Sequence, residues 1–218
     1  SVFLANISHA LRTPLNSIDG FIHLLLRQDN LNNDQNLYLQ TIRKSSAHLL
    51  ALINDVLDFS KIDAGKLELD TATFDLEEAI FDVMDMLSPL AAQKHIDMAF
   101  YYADNVPKHV VGDALRFKQI LTNLISNAIK FTPDGEIIVR ERMEQDDIGQ
   151  CLLHFSVQDS GIGLSGTDRK KLFESFSQGD ASVTRQFGGT GLGLAISKQL
   201  VHLMQGQIGF EDNQERAP

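Results

Sequence analysis

The first sixty residues carry two long runs of apolar residues at helical spacing, and this pattern constrains the fold more than any other feature. Leu4, Ile7, Leu11, Leu15, Ile18, Ile22 and Leu25 recur every three or four positions, which places them on one stripe of a helix. Ile42, Ser46, Leu49, Ile53, Val56 and Ser60 repeat the pattern. Between the runs, Gln28 to Asp34 is polar and rich in Asn, the composition of a short turn. The spacing predicts an antiparallel helical hairpin. Two helices alone bury too little apolar surface, so a second copy is expected to complete a four-helix bundle. The helical pattern enters at Ser1 without a capping residue, so the helix is expected to continue upstream.

The pattern changes after Ile62. Gly65 is expected to end the second helix, and a domain boundary is placed near Lys66, giving domains 1–66 and 67–218. Leu67, Leu69 and Phe74 read as a short extended segment. Helices are expected over Leu76–Gln93, Leu115–Phe131 and Leu192–Met204. Strands are expected over Ile96–Tyr102, Ile137–Glu144 and Leu152–Gln158, with another starting at Gln207–Phe210. Helices segregated from a mostly antiparallel sheet predict an α+β fold: a helical hairpin followed by a two-layer α/β sandwich.

A net charge of −10 argues against a broad nucleic-acid surface, because a phosphate backbone requires a basic footprint. A small phosphate-bearing ligand needs only a few cations and backbone amides. No apolar stretch reaches the ~18–20 residues that span a bilayer, and no signal peptide opens the chain. A soluble segment without membrane contact is therefore expected. The single cysteine, Cys151, excludes a disulfide framework. It lies in the apolar run Cys151–Phe155 and reads as a small core residue.

Four stretches carry candidate chemistry. In Ser8–Leu15, His9 stands two residues from both Ile7 and Leu11, roughly opposite the apolar stripe at about 100° per residue. A solvent-facing imidazole is a competent nucleophile toward phosphorus, although an exposed helical histidine is most often simply solvated. Thr13 lies one turn further on the same face, and Pro14 is expected to kink the helix. In Asn123–Thr132, Asn123, Asn127 and Lys130 share one helical face. Two amides and an ammonium there suit a hydrated magnesium ion and phosphates, or merely a solvated polar surface.

Asp159-Ser160-Gly161-Ile162-Gly163 follows an apolar strand. Its glycines allow a tight turn, and its carboxylate can accept a hydrogen bond from an exocyclic amine. Gly188-Gly189-Thr190-Gly191-Leu192-Gly193-Leu194 opens the last helix, where glycine amides form an anion cradle. No Gly-Lys-Ser/Thr follows, so this is not a Walker loop. Ser175–Phe187, just before it, is polar and suits a lid over a nucleotide. His23, His48, His95, His109, His154 and His202 show no metal-ligand pairing.

Together these stretches resemble the sensor histidine kinases along essentially the whole chain. Ser8–Leu15 is similar to their H box and Asn123–Thr132 to their N box. Asp159–Gly163 resembles the G1 box, Phe173-Glu174-Ser175-Phe176 the F box, and Gly188–Leu194 the G2 box. The wording Phe176–Ser182 resembles hybrid kinases of the BarA/GacS/RetS group.

The resemblance implies ATP and Mg2+ as cofactors and His9 as phosphoacceptor. Asn127 with Asn123 beside it would face the metal, and Lys130 the phosphates. Asp159 would hold the adenine amine. Gly161, Gly163, Gly189, Thr190, Gly191, Leu192 and Gly193 would shape the pocket, with Arg185 as a phosphate contact from the lid. Thr13 matches the position that orients water in members with phosphatase activity. It further implies a homodimer through the hairpin, transfer to a receiver-domain aspartate, and the cytoplasmic portion of a membrane-anchored bacterial parent. The receiver would belong to a response regulator or to the same parent chain.

Two departures stand out. Ala10 occupies the place of the acidic residue that usually follows the histidine, which leaves open a kinase-impaired regulator that pairs with, or dephosphorylates, another histidine kinase. The chain also stops before the family's last glycine-containing strand, so a looser sheet edge is expected. A water-directed ATPase of the gyrase and Hsp90 kind would need a glutamate where Asn123 stands.

Overall fold

A computed structural model describes residues 2–28, 30–145, 151–163, 172–174 and 191–211, without the side chains of residues 2–9, 145 and 151. The chain divides into two compact units, one ending at Leu67 and the other beginning at Glu68.

The first unit is a hairpin of α1 (Val2–Leu26) and α2 (Asn33–Asp63). A capping box starts α2: the Asn32 side chain accepts from the Gln35 amide at 2.8 Å, and the Gln35 side chain accepts from the Asn32 amide at 2.9 Å. Gly65, at φ 64°, follows the C-cap Ala64 and turns the chain out of the helix. Helix α1 runs through Pro14 without ending. Arg12 donates to the Asn54 side chain at 2.9 Å and ties the helices together. Among the described residues only Leu15, Ile22 and Ser46 are buried in this unit. Phe21, Leu24, Leu37 and Tyr38 are each at least 60% exposed, far more apolar surface than a self-sufficient hairpin leaves in water.

The second unit contains β1 (Ala72–Asp75), α3 (Leu76–Ala92), β2 (Ile96–Tyr102), β3 (His109–Gly112), α4 (Ala114–Phe131), β4 (Gly135–Gln145), β5 (Cys151–Asp159) and α5 (Gly193–Leu203). Strands β1 and β3 form an antiparallel pair in which Ala72 faces Gly112. The larger sheet has order β2-β4-β5. Its β4–β5 pair is antiparallel, with Ile137 opposite Asp159. Its β2–β4 pair is parallel, because the segment carrying β3 and α4 crosses between them. The sheet is therefore mixed.

Alternation along β4 buries Ile137, Val139 and Glu141 and turns Arg140 to solvent. Against that buried face pack Leu76, Ile80, Val83, Leu87 and Ala91 of α3, with Phe117, Leu121, Ile125 and Ala128 of α4. The spacings of three and four residues are those of amphipathic helices. Phe117 is the hinge of an aromatic chain, its ring 5.0 Å from Phe155 and 5.9 Å from Phe74. Side-chain caps begin both helices: Asp75 accepts from the Glu78 amide and Asp113 from the Arg116 amide, each at 3.0 Å.

The structure differs from expectation, or adds to it, at three places. Gln207–Phe210 is irregular rather than extended into a strand, and it follows Gln205, whose φ of 61° turns the chain sharply. The extended segment expected from Leu67 is a strand only over Ala72–Asp75. Strand β3 was absent from the expected elements; at four residues it is too short to show a period.

Candidate nucleotide and phosphoacceptor sites

Helix α4 organises the polar site of the second unit. Its apolar stripe fixes its rotation, so Asn123, Asn127 and Lys130 emerge at the edge of the core, each half-buried. The Asn127 amide nitrogen donates to Asn123 Oδ1 at 3.4 Å. The Asn123 amide nitrogen donates to Ser197 Oγ on α5 at 2.8 Å. Burial pushes the Lys130 ammonium below the ordinary lysine range, and its Nζ lies 4.8 Å from the centre of the Phe131 ring. A bound phosphate would favour the charged form of that lysine.

The last turn of α4 is fastened from outside. Lys94 Nζ, just beyond α3, donates to the carbonyls of Ile129, Lys130 and Thr132 at 2.7, 3.0 and 3.3 Å. A cation on the terminal carbonyls satisfies orphan acceptors and complements the helix dipole. The Phe131 carbonyl, between them, accepts instead from the Ile162 amide at 3.2 Å.

That bond seats the turn after β5 on the end of α4. Within the turn, Asp159 Oδ1 accepts from the Gly161 amide at 2.9 Å. A side chain on Gly161 would place its Cβ 2.6 Å from the Phe131 oxygen and 2.7 Å from Asp159 Oδ1, so only glycine fits. Ser160 Oγ accepts from the Glu136 amide at 2.9 Å and locks the turn to the start of β4. Gly163 and Gly191 hold φ of 73° and 68°, a region that glycine enters freely.

Asp159 and Gly161 thus meet the C-terminal end of α4 beside Lys130, with Asn127 and Asn123 one and two turns back along the helix. Gly193 joins them, because a Cβ there would lie 2.9 Å from the Asn123 amide carbon. Leu192 is buried and is the N-cap of α5, with no side-chain cap bond. Arg185, Gly189 and Thr190 lie outside the described residues, as does the expected lid, Ser175–Phe187.

The donor set fits magnesium. With its nitrogen turned to Asn123, Asn127 presents its amide oxygen on the opposite side, the atom a hard cation takes. Among the described residues no group of three or more His, Cys, Asp or Glu side chains could hold a metal alone. An ion here would draw its remaining ligands from phosphates and water, as magnesium does.

In the first unit, Thr13 is exposed on α1, and Ser17 Oγ donates to its carbonyl at 3.1 Å. His9 lies in the same helix, four residues earlier; the expected outward orientation of its imidazole lies outside the described side chains. Sequence reasoning missed Ser197 and Lys94. Ser197 sits at i+4 from Gly193, a spacing that could have marked it as sharing a face with the glycine.

Two family models match the chain. Residues 1–65 match the model of the His Kinase A (phospho-acceptor) domain. Residues 112–217 match that of the histidine kinase-, DNA gyrase B-, and HSP90-like ATPases. The sensor histidine kinase GacS of Pseudomonas protegens is 51% identical over 211 residues, 97% of this chain. The signal transduction histidine-protein kinase BarA of Escherichia coli K12 is 44% identical over 216 residues, 99% of the chain. The chain spans 23% of the length of each. Among solved structures, full-length ShkA in complex with AMPPNP superposes with a TM-score of 0.77 at 37% identity, covering 96% of this chain and 42% of that one. The Acinetobacter baumannii histidine kinase AdeS, at 21% identity and a TM-score of 0.63, covers 94% of this chain and 91% of its own and shares the fold.

Proposed function

The chain belongs to the sensor histidine kinases of two-component systems, and from that premise we propose that it binds ATP in its second unit and passes the γ-phosphoryl group to His9. Residues 1–66 act as dimerisation and phosphoacceptor hairpin, and 67–218 as the catalytic domain. The observation that carries the reading is the meeting of α4 with the Asp159 turn, where the Phe131 carbonyl accepts from Ile162 and leaves room only for glycine at 161. That junction seats the Asp159 turn against the end of the helix that carries Asn127 and Lys130.

In this reading Asp159 accepts from the adenine amine, and that contact selects the base. Gly161 and Gly163 let the backbone approach the ring. Lys130, Arg185 and the amides of Gly189, Thr190, Gly191, Leu192 and Gly193 hold the phosphates. Asn127 offers an oxygen to magnesium, which supplies charge neutralisation on the phosphates when bound. Phosphoryl transfer depends mainly on positioning and electrostatics. A ring nitrogen of His9 attacks the γ-phosphorus, the bond to the bridging oxygen breaks, ADP departs, and the ring proton is lost to solvent or a base. A receiver-domain aspartate then takes the phosphoryl group. Thr13, at the position that orients water in related phosphatases, would serve the reverse sense of regulation.

A homodimer through the hairpin is supported by the exposed Phe21, Leu24, Leu37 and Tyr38. We also infer a cytoplasmic position in a membrane-anchored parent, by analogy with sensor kinases. Water-directed ATP hydrolysis is disfavoured by Asn123, an amide already bonded to Ser197 that cannot accept a proton.

Ala10 favours a second reading. No proton acceptor follows His9, and loss of a general base costs ~10²–10⁴ in rate. A weak kinase of this form would act by pairing with another histidine kinase or by removing its phosphate.

Calorimetry with AMPPNP and magnesium tests the nucleotide site. Binding is expected for the wild-type chain and its loss for Asp159→Ala. A wild-type chain that fails to bind at millimolar nucleotide, or an Asp159→Ala variant that binds normally, contradicts the reading.

A further inference from the structure

Two residues of α5 converge on Asn123. Gly193 removes the Cβ that would otherwise press on its amide, closest to Oδ1, with the amide carbon at 2.9 Å and Nδ2 at 3.2 Å. Ser197, one turn later on the same face, is 2% exposed and receives the Asn123 N–H at 2.8 Å. The first makes room for the amide oxygen; the second holds the amide nitrogen.

An Asn side chain can present either its oxygen or its nitrogen to a given neighbour, and its hydrogen-bond partners decide which. Ser197 Oγ takes the Asn123 nitrogen, and Asn123 Oδ1, which lies against Gly193, accepts from Asn127 at 3.4 Å. That acceptance holds the Asn127 nitrogen and leaves the Asn127 oxygen outward. Without the Ser197 acceptor, Asn123 is free to rotate about its side-chain amide. Its nitrogen would then confront the Asn127 nitrogen, and Asn127 would lose its reason to present an oxygen to a cation.

We propose that Ser197 is a positioning residue for the magnesium–nucleotide site, acting through Asn123 to orient the amide oxygen of Asn127. The inference rests on the nucleotide-binding reading above. It also links the helix that follows the glycine-rich segment to the metal ligand: a shift of α5 moves the Ser197 hydroxyl and with it the orientation of Asn127.

The test measures AMPPNP affinity by calorimetry on the full chain, with and without magnesium, for wild type, Ser197→Ala and Ser197→Thr. Wild type shows a gain in affinity from magnesium. In Ser197→Ala that gain falls by about ten- to a hundred-fold, the usual effect of removing a residue that orients a metal ligand, while metal-free affinity stays within about twofold. Ser197→Thr, which keeps the hydroxyl, retains most of the gain. If Ser197→Ala does not unfold cooperatively, Ser197→Cys, near serine in size and a weak acceptor, carries the same expectation. Loss of metal-free and metal-bound affinity in equal proportion marks a packing role and overturns the proposal. A Ser197→Ala chain with the wild-type magnesium gain overturns it as well. A wild-type chain that binds no nucleotide at all overturns the underlying kinase reading instead.

Discussion

Replacing Gly161 by alanine tests the junction that carries the nucleotide reading. The new methyl would stand 2.6 Å from the Phe131 oxygen, 3.0 Å from its carbonyl carbon and 2.7 Å from Asp159 Oδ1. Comfortable contact needs about 3.5 Å, so the turn must withdraw from the helix by roughly 0.9 Å. The helix cannot yield easily, since Lys94 fastens the carbonyls on either side of Phe131. The turn therefore moves, and the 3.2 Å bond from Ile162 to Phe131 weakens or breaks. Overpacking of this kind costs ~1–3 kcal/mol, and the lost hydrogen bond about 1 kcal/mol. If about 2 kcal/mol of that falls on the bound state, nucleotide affinity drops roughly thirty-fold. Calorimetry with AMPPNP and magnesium reads the affinity, and thermal unfolding confirms that the variant is folded at the temperature used. A Gly161→Ala chain that binds within twofold of wild type and unfolds at the same temperature would show that the turn does not depend on its contact with α4.

Glu141 makes a prediction about pH. It is 7% exposed, its Oε2 has no hydrogen-bond partner among the described residues, and burial with the nearby Glu77 pushes its pKa from 4.5 up to about 6. A raised carboxylate pKa means the folded state prefers the proton. The contribution is complete below pH 4.5 and is lost as pH rises through about 6, a difference of about 2 kcal/mol. Glu141→Gln should therefore raise the urea midpoint at pH 7.5 and narrow the wild-type gain on acidification; a lower midpoint at pH 7.5 would contradict this. In the hairpin, Phe21 is 67% exposed, and covering a phenylalanine is worth ~1.5–3 kcal/mol. A two-fold interface counts the residue twice, so Phe21→Ser should weaken the dimer at least about a hundredfold in sedimentation equilibrium, whereas an unchanged dimer would show that this face lies outside the interface.

Much of this molecule was legible because its apolar periods are long. Leu4 to Leu25 and Ile42 to Ser60 announce two helices, and the observed α1 and α2 extend them by only a few residues except at the start of α2. The grouping of Asn123, Asn127 and Lys130 followed from spacing alone, since the buried stripe of α4 fixes its rotation. Contacts between elements distant in sequence were not legible. Lys94 is 35 residues from the nearest carbonyl it caps, and Ser197 is 74 residues from Asn123; no local pattern connects them. The short β3 lacked a period to read. Gln207–Phe210 has the composition of a strand, but composition does not supply a pairing partner.

The most direct test of the account is whether His9 receives phosphate. The chain is incubated with ATP labelled at the γ-position and magnesium, beside His9→Ala and Ala10→Glu variants. The account predicts acid-labile, base-stable label on the wild-type chain and none on His9→Ala. A carboxylate beside the imidazole should take its proton, so Ala10→Glu is expected to label on the order of 10²-fold faster. Label that persists in His9→Ala, or no label on either the wild-type chain or Ala10→Glu, would contradict the assignment of His9 as the phosphoacceptor.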